Sequence, residues 1–292
     1  MIIEQAQPSE FAEIEKVFQN CFADDVRMYP IKRAKHLFVA KDNGQIVGAG
    51  GLFVNSLHAK IPKAAVAVEV AYRRKGLGQK IHQTILQSQP LIPLGVDGCC
   101  FDDNTSTIAF LKHLKYKPYL DCYIPVIDTT VDFPVFERPQ NIQLLSFNKA
   151  ASRGIEMSSI LNFLVENYFE SHHWNPVTIP KDSPDWEEIA FWGIDHELSL
   201  VVLQDGVLVG ASTASVDGDV LQIQWPFGAA NDVSGELAIL KTLMGQQFKI
   251  ASQRGLLMST FECDSTEEAM FQIPKALKVI ESKTWRRFRY TP

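Results

Sequence analysis

Val68-Glu69-Val70-Ala71-Tyr72-Arg73-Arg74-Lys75-Gly76-Leu77-Gly78 is the stretch on which the reading of this chain turns. An apolar strand runs into a basic, glycine-containing turn, and a helix follows at once, with Leu77, Ile81, Ile85 and Leu86 on one apolar face. The first N–H groups of a helix have no intrahelical partner, and the helix dipole favours negative charge there, so such a turn is suited to hold a phosphate. Gly76 and Gly78 permit close approach and unusual backbone angles. Arg73, Arg74 and Lys75 place positive charge where a pyrophosphate or a 3′-phosphate would meet it. The alternative is an ordinary turn before a surface helix, its basic side chains solvated. Two familiar phosphate loops do not fit: there is no GxxxxGK[ST], and a GxGxxG fingerprint belongs in the first strand-to-helix turn. Here the loop follows four strands and offers only Gly76-Leu77-Gly78.

Upstream, residues 2–6 read as a short strand, and Pro8-Ser9-Glu10 opens a helix with Phe11, Ile14, Val17, Phe18 and Phe22 at helical spacing. Leu37 to Ala40 and Ile46 to Phe53 are strands joined by a hairpin turn at Asp42-Asn43-Gly44. Ala65 to Val70 form a fourth strand whose apolar run suits burial on both faces, as in a mixed sheet carrying helices. Downstream come a strand from Gly95 to Phe101, a helix from Thr105 to Leu114 and a strand from Pro118 to Val126. Asp128 to Pro139 reads as a linker.

The second half echoes this plan. Val39-Ala40-Lys41-Asp42-Asn43-Gly44-Gln45-Ile46-Val47-Gly48-Ala49 resembles Val201-Val202-Leu203-Gln204-Asp205-Gly206-Val207-Leu208-Val209-Gly210-Ala211, with one residue of slip at the turn. Phe101-Asp102-Asp103-Asn104 with Ala109-Phe110 is matched by Phe261-Glu262-Cys263-Asp264 with Ala269-Met270. The offsets are 162 residues (Val39 to Val201) and 160 (Phe101 to Phe261), which suggests a repeat. Two unrelated α/β domains are the rival arrangement. After the strand Val220 to Trp225, the segment 226–236 has no basic residue and carries Asp232 and Glu236, which would repel a pyrophosphate.

Composition bounds the rest. The 292 residues are 46% hydrophobic and 21% charged, enough for two globular domains. No run of 18 apolar residues occurs, and Met1-Ile2-Ile3-Glu4 has no basic stretch leading into an apolar one, so neither a membrane partner nor a secretory signal is expected. The five cysteines show no CxxC spacing and are expected to be reduced thiols in a cytoplasm. The seven histidines form no recognisable metal pattern, and no metal is expected. The net charge of −6 argues against nucleic-acid binding and suits a basic acceptor such as an amine.

Arg73-Arg74-Lys75-Gly76-Leu77-Gly78 resembles the Arg/Gln-x-x-Gly-x-Gly/Ala pyrophosphate motif of the GCN5-related N-acetyltransferases (GNAT). Val68-Glu69-Val70 looks like that family's fourth strand, although Val70 stands where proline is frequent. Asn104-Thr105-Ser106-Thr107-Ile108-Ala109-Phe110-Leu111 resembles its Asn-x-x-Ala-x-x-Phe-Tyr helix, and Leu114-Lys115-Tyr116 stands at its Leu-Gly-Phe. The resemblance covers residues 1 to about 126 and implies an α/β (α+β) fold: a mixed central sheet flanked by helices, the acyl-CoA N-acyltransferase fold. With the internal echo, the chain divides into 1–130, an acetyl-CoA-binding module, and 140–292, a degenerate copy without a phosphate loop. It implies that the fourth and fifth strands splay to admit pantetheine, whose amides pair with Val68 and Val70. The amides from Arg74 through Lys75, Gly76, Leu77 and Gly78 to Gln79 would cradle the pyrophosphate, and Asn104 would sit near the pantetheine or the departing sulfur.

The implied reaction moves an acetyl group from acetyl-CoA to a primary amine of a small molecule or peptide, in a protein that is a monomer or a homodimer. The alternatives are a non-catalytic acetyl-CoA sensor, or an O- or longer-chain acyltransferase. The family's acidic tyrosine is replaced by Leu111, and its upstream glutamate is missing from Lys60-Ile61-Pro62-Lys63-Ala64-Ala65. Glu69 is the candidate base if it faces the cleft rather than capping the sheet, and Asn104 is the second candidate catalytic residue. Tyr116 and Tyr119 serve as acid only if the fold brings one back, and packing is the simpler role for both. His58 is expected on a surface hairpin, and Cys99 and Cys100 are expected to be buried thiols rather than nucleophiles. Tyr168, Phe169, His172, His173 and Trp174 either line an acceptor pocket or close a helix end by packing. Lys283, Arg286, Arg287 and Arg289, interleaved with Trp285, Phe288 and Tyr290, are expected to alternate between solvent and core.

Overall fold

The computed structural model describes residues 1–23, 29–88, 94–131 and 140–291. The linker expected over 128–139 therefore falls largely outside the described residues. The chain forms two compact units. The first comprises residues 1–119, the short segment Asn175–Thr178 and the chain's end from Arg287 onward; the second comprises Leu120–Trp174 and Ile179–Arg286.

In chain order the first unit holds β1 (Ile2–Gln5), α1 (Phe11–Phe22), β2 (Ala34–Asp42), β3 (Gln45–Phe53), β4 (Lys63–Val68), α2 (Leu77–Gln87), β5 (Val96–Phe101) and α3 (Thr105–His113). Its strands are ordered β1-β2-β3-β4-β5, antiparallel up to β4, with β4 and β5 parallel. The helical spacing of α1 puts Ile14, Val17 and Phe18 in the core against Val39, Ala49 and Ala67. On α2, Leu77, Ile81 and Ile85 are buried over Ala40, Val47 and Leu52. Strand β4 begins and ends two residues earlier than the sequence suggests. The Glu69 N–H makes the last ladder bond, to the Val47 carbonyl at 3.0 Å, and Val70 opens a 3₁₀ turn, 71% exposed.

Strand β6 (Lys117–Asp128) leads into the second unit, which continues with β7 (Ile142–Ser146), α4 (Phe147–Ser152), α5 (Met157–Ser171), α6 (Asp185–Phe191), β8 (Leu200–Gln204), β9 (Val207–Asp217), β10 (Val220–Gly228), α7 (Val233–Gln253), β11 (Met258–Thr260), β12 (Cys263–Asp264) and most of β13 (Val279–Tyr290), whose residues from Arg287 onward belong to the first unit. Its strands run β6-β11-β10-β9-β8-β7, with β12 on β6. The order β7-β8-β9-β10-α7-β11 repeats β1-β2-β3-β4-α2-β5, again with a parallel final pair. The two hairpins agree in backbone detail. Asn43 and Gly44 have φ of 48° and 83°, and Asp205 and Gly206 have 51° and 82°. Both tips thus use the double left-handed turn that Asn-Gly and Asp-Gly favour.

The second echo does not produce equal structures. Asn104 starts a helix, whereas Cys263–Asp264 form a short strand followed by the 3₁₀ turns Met270–Gln272 and Pro274–Ala276. Tyr168 packs inside its own unit, stacked between Trp225 at 4.5 Å and His172 at 4.0 Å.

Candidate active site

The first unit encloses a cleft of about 440 Å³. Its origin is the way β4 and β5 part: they are registered at one rung, Lys63 opposite Asp97, where the Asp97 N–H also donates to the Pro62 carbonyl at 2.9 Å. Beyond that rung Ala64, Ala65, Val66 and Val68 form one wall, and Gly98 and Cys99 the other. Glu69 and Val47 form a hydrogen-bonded pair, so by alternation the peptide groups of Val68, Val66 and Ala64 face away from β3 toward the gap. The corresponding strands of the second unit, β10 and β11, are zipped over three consecutive rungs, Val220–Met258 to Gln222–Thr260.

At the cleft's mouth lies the start of α2. Gly76 has φ +78°, a left-handed conformation that costs other residues about 1–2 kcal/mol, and no side chain caps the helix. The first bond accepted by the Gly76 carbonyl comes from the Lys80 N–H at 3.1 Å, so the amides of Leu77, Gly78 and Gln79 have no partner within the helix. Arg74 is also left-handed, at φ +62°. A Cβ on Gly78 would lie 3.2 Å from the Phe110 ring, so this glycine lets α3 close over the loop. Arg73, Arg74, Gly76, Leu77, Gly78 and Gln79 all line the cleft. Lys75 does not: its Nζ donates to the Ala71 carbonyl at 2.9 Å and lies over the Tyr72 ring. The second unit's helix α7 is built differently, with Asp232 Oδ1 accepting from the Gly235 N–H at 2.7 Å and Glu236 in the first turn. Carboxylates already occupy that helix start.

Arg73 spans the mouth. Its Nε donates to the Val68 carbonyl at 2.7 Å and its guanidinium meets Cys21 Sγ at 3.3 Å. The Val68 carbonyl, expected to receive a ligand amide, is thus held by an arginine here. Val70 stands beyond the strand and outside the lining. Glu69 also lies outside the lining, its Oε1 accepting from Asn20 Nδ2 at 3.0 Å. Asn104 is at the cleft, but its Oδ1 caps α3, accepting from the Thr107 N–H at 3.1 Å and from Ser106 Oγ at 3.0 Å.

The sequence did not point to the buried histidine of this cleft. His82, one turn into α2 from Gly78, is 4% exposed, and its Nε2 lies 2.9 Å from the hydroxyl of Tyr116, itself 3% exposed. The signal was a polar residue on the apolar face between Gly78 and Leu86. Both residues line the cleft beside Leu111. Burial pushes the His82 imidazole down to about 4 and the Tyr116 phenol above its ordinary range, so both are neutral near pH 7. On the other face, the Tyr29 hydroxyl lies 3.5 Å from Cys99 Sγ. Cys99 and Cys100 are buried, as expected. His58 is not on the surface: it is 5% exposed, and its Nδ1 meets the Asn175 carbonyl at 2.7 Å. Among the described residues no cluster of three or more His, Cys, Asp or Glu gathers as a metal site, and no helix is long and apolar enough to cross a membrane.

His82 yields a stability prediction. Its folded value near 4 lies below the unfolded value of about 6.5, so the unfolded chain takes up a proton that the folded one refuses. The contribution is present above pH 6.5 and fades as pH falls toward 4, by about 3 kcal/mol in all. Urea denaturation at pH 7 and pH 4.5 should show a smaller acid loss for His82→Gln than for the wild type; equal losses would refute the assignment.

A family model described as an acetyltransferase (GNAT) domain matches residues 33–118. Among solved structures, a GCN5-related N-acetyltransferase from Sphaerobacter thermophilus is similar with a TM-score of 0.65 and 17% identity, over 100% of this chain and 96% of that one. A tandem GNAT protein from the clavulanic acid biosynthesis pathway gives 0.54 and 10%, over 99% and 97%. A GCN5-related N-acetyltransferase from Kribbella flavida gives 0.52 and 13%, over 98% and 70%. Comparison with curated proteins gave no match. The chain has the GNAT fold: a mixed sheet flanked by helices, its element order run through twice.

Proposed function

We propose that the first unit binds acetyl-CoA and transfers its acetyl group to a primary amine of a small molecule or peptide, by direct attack in a ternary complex. The observation that carries this reading is the convergence in one cleft of the β4–β5 wedge, the uncapped start of α2 and two arginines. The amides from Arg74 to Gln79, with the Arg73 and Arg74 guanidiniums, would hold the pyrophosphate. The gap-facing peptide groups of Val66 and Val68 would pair with the pantetheine amides once Arg73 leaves the Val68 carbonyl. Because its Oδ1 is engaged, Asn104 would offer Nδ2.

Attack of the neutral amine on the thioester carbonyl forms the C–N bond, the C–S bond breaks, and the leaving thiolate needs a proton. Leu111 cannot give one. Tyr116 can: with His82 in the Nε2–H tautomer, the imidazole donates to the phenol oxygen and leaves the phenol O–H for the sulfur. Glu69 stands one residue beyond the lining, so the amine proton reaches it through water. Positioning and carbonyl polarisation supply most of the remaining rate.

We read the second unit as a degenerate module that binds no coenzyme, a reading supported by the Asp232 cap and the zipped β10–β11 pair. All five cysteines are free thiols, which supports a reducing, cytoplasmic setting. The test is acceptor-dependent release of free thiol from acetyl-CoA across polyamines, amino acids, aminoglycosides, peptide N-termini and alcohols. Turnover with an amine supports the enzyme. Tight acetyl-CoA binding without turnover on any acceptor would make the protein a sensor instead, the outcome that the Tyr-to-Leu replacement at 111 favours.

A further inference from the structure

Asp97 occupies the rung where β4 and β5 part, and its side chain is buried, 2% exposed. It is held by residues distant in sequence. Arg289 forms a two-pronged pair with it, Nε to Oδ1 at 2.8 Å and a terminal nitrogen to Oδ2 at 3.2 Å. The Tyr119 hydroxyl donates to Oδ2 at 2.5 Å, and the Arg289 guanidinium lies 4.3 Å from the Tyr119 ring centre. On the opposite face of the same short segment, Phe288 and Tyr290 pack with Tyr116. The backbone of this segment also bears on β5 directly, because a Cβ on Gly95 would fall 2.3 Å from the Tyr290 carbonyl oxygen. The first residues of the cleft's two walls, Ala64 and Gly98, are the immediate chain neighbours of the Lys63–Asp97 rung.

We propose that Arg289 is a positioning residue for the acyl donor: by fixing Asp97 at the apex of the β4–β5 wedge, the C-terminal segment sets the width of the cleft that receives pantetheine. A carboxylate this deeply buried must be paired, and the fork of a guanidinium fixes its orientation as an ammonium does not. Burial and the Asp97 carboxylate together push the Tyr119 phenol far above its ordinary range, so it stays a donor to Asp97 at every working pH. A rotation at the apex is magnified along the diverging strands, so small displacements there move the far peptide groups of Val66 and Val68 most.

This inference rests on the proposed acetyl-CoA site. Its test uses the full chain with acetyl-CoA as probe, in Arg289→Lys, which keeps the charge, and in Asp97→Asn/Arg289→Gln, which removes both charges and leaves no lone carboxylate inside. With circular dichroism showing a folded chain, the double variant should bind acetyl-CoA about 10-fold more weakly, as expected for sub-ångström misplacement, and Arg289→Lys should recover part of the loss. In thiol release the change should fall on KM for acetyl-CoA, with kcat within about twofold. A double variant that is merely less heat-stable, with wild-type affinity and KM, overturns the inference and leaves the site intact. A wild type that does not bind acetyl-CoA overturns the site reading and this inference with it.

Discussion

Replacing Arg73 and Arg74 together with alanine should weaken acetyl-CoA binding by about 100-fold and flatten its dependence on salt. A hydrogen bond to a charged group is worth about 1.5–3 kcal/mol, so even the low end for two arginines reaches that factor. One effect opposes the loss. In the free protein Arg73 holds the Val68 carbonyl, and its removal would clear that acceptor for pantetheine. That contact joins a cation to a neutral carbonyl, however, and pairing with the doubly charged pyrophosphate is stronger, so the loss dominates. Alanine at 74 keeps the left-handed backbone strain that arginine already bears at φ +62°, which isolates the charge from the conformation. Calorimetric titration at low and at physiological salt reads both quantities. Unchanged affinity would remove the phosphate loop from the account.

Tyr116→Phe should lower kcat for thiol release by about 100-fold while leaving the affinity for acetyl-CoA within a few-fold, since general acids contribute about 10²–10⁴. The substitution deletes one oxygen and preserves the ring that packs against Leu111, Leu114 and Phe288. It strands His82 Nε2 in the interior, so some loss of stability is expected as well; affinity measured at equilibrium separates that from catalysis. Because burial raises the Tyr116 phenol, the wild-type rate should show no decline near pH 10 from loss of this proton. A variant with wild-type kcat would hand the thiolate proton to solvent.

The parts of this fold that were legible in the sequence are those decided locally. Asn43-Gly44 and Asp205-Gly206 demand left-handed turns, and the apolar spacing of α1 and α2 shows which faces are buried. Strand β4 was overextended to Val70 because β-branched residues favour strands only where a partner continues, and the ladder ends at Glu69. The second echo misled because Cys263–Asp264 take a place on β6, a pairing that no short motif encodes. The candidate site was legible at the loop, where glycines and arginines sit side by side. Its floor was not. His82 and Tyr116 meet across 34 residues, and Asp97 and Arg289 across 192, so their chemistry exists only after the chain has folded. The C-terminal segment alternates as expected, with Trp285 and Phe288 buried, but the sequence does not show that its half-buried Arg289 pairs with the buried Asp97 or that Arg286 pairs two-pronged with Asp121.

The most direct test of the central claim, that acyl-CoA binds in the β4–β5 wedge of the first unit, is a crystal structure of the chain grown with coenzyme A. The expected result is one coenzyme per chain, its pyrophosphate on the amides from Arg74 to Gln79, its pantetheine between Val66 and Cys99, and Arg73 released from the Val68 carbonyl. Coenzyme bound at the start of α7, or a wedge still closed by Arg73 with the coenzyme elsewhere, would contradict it.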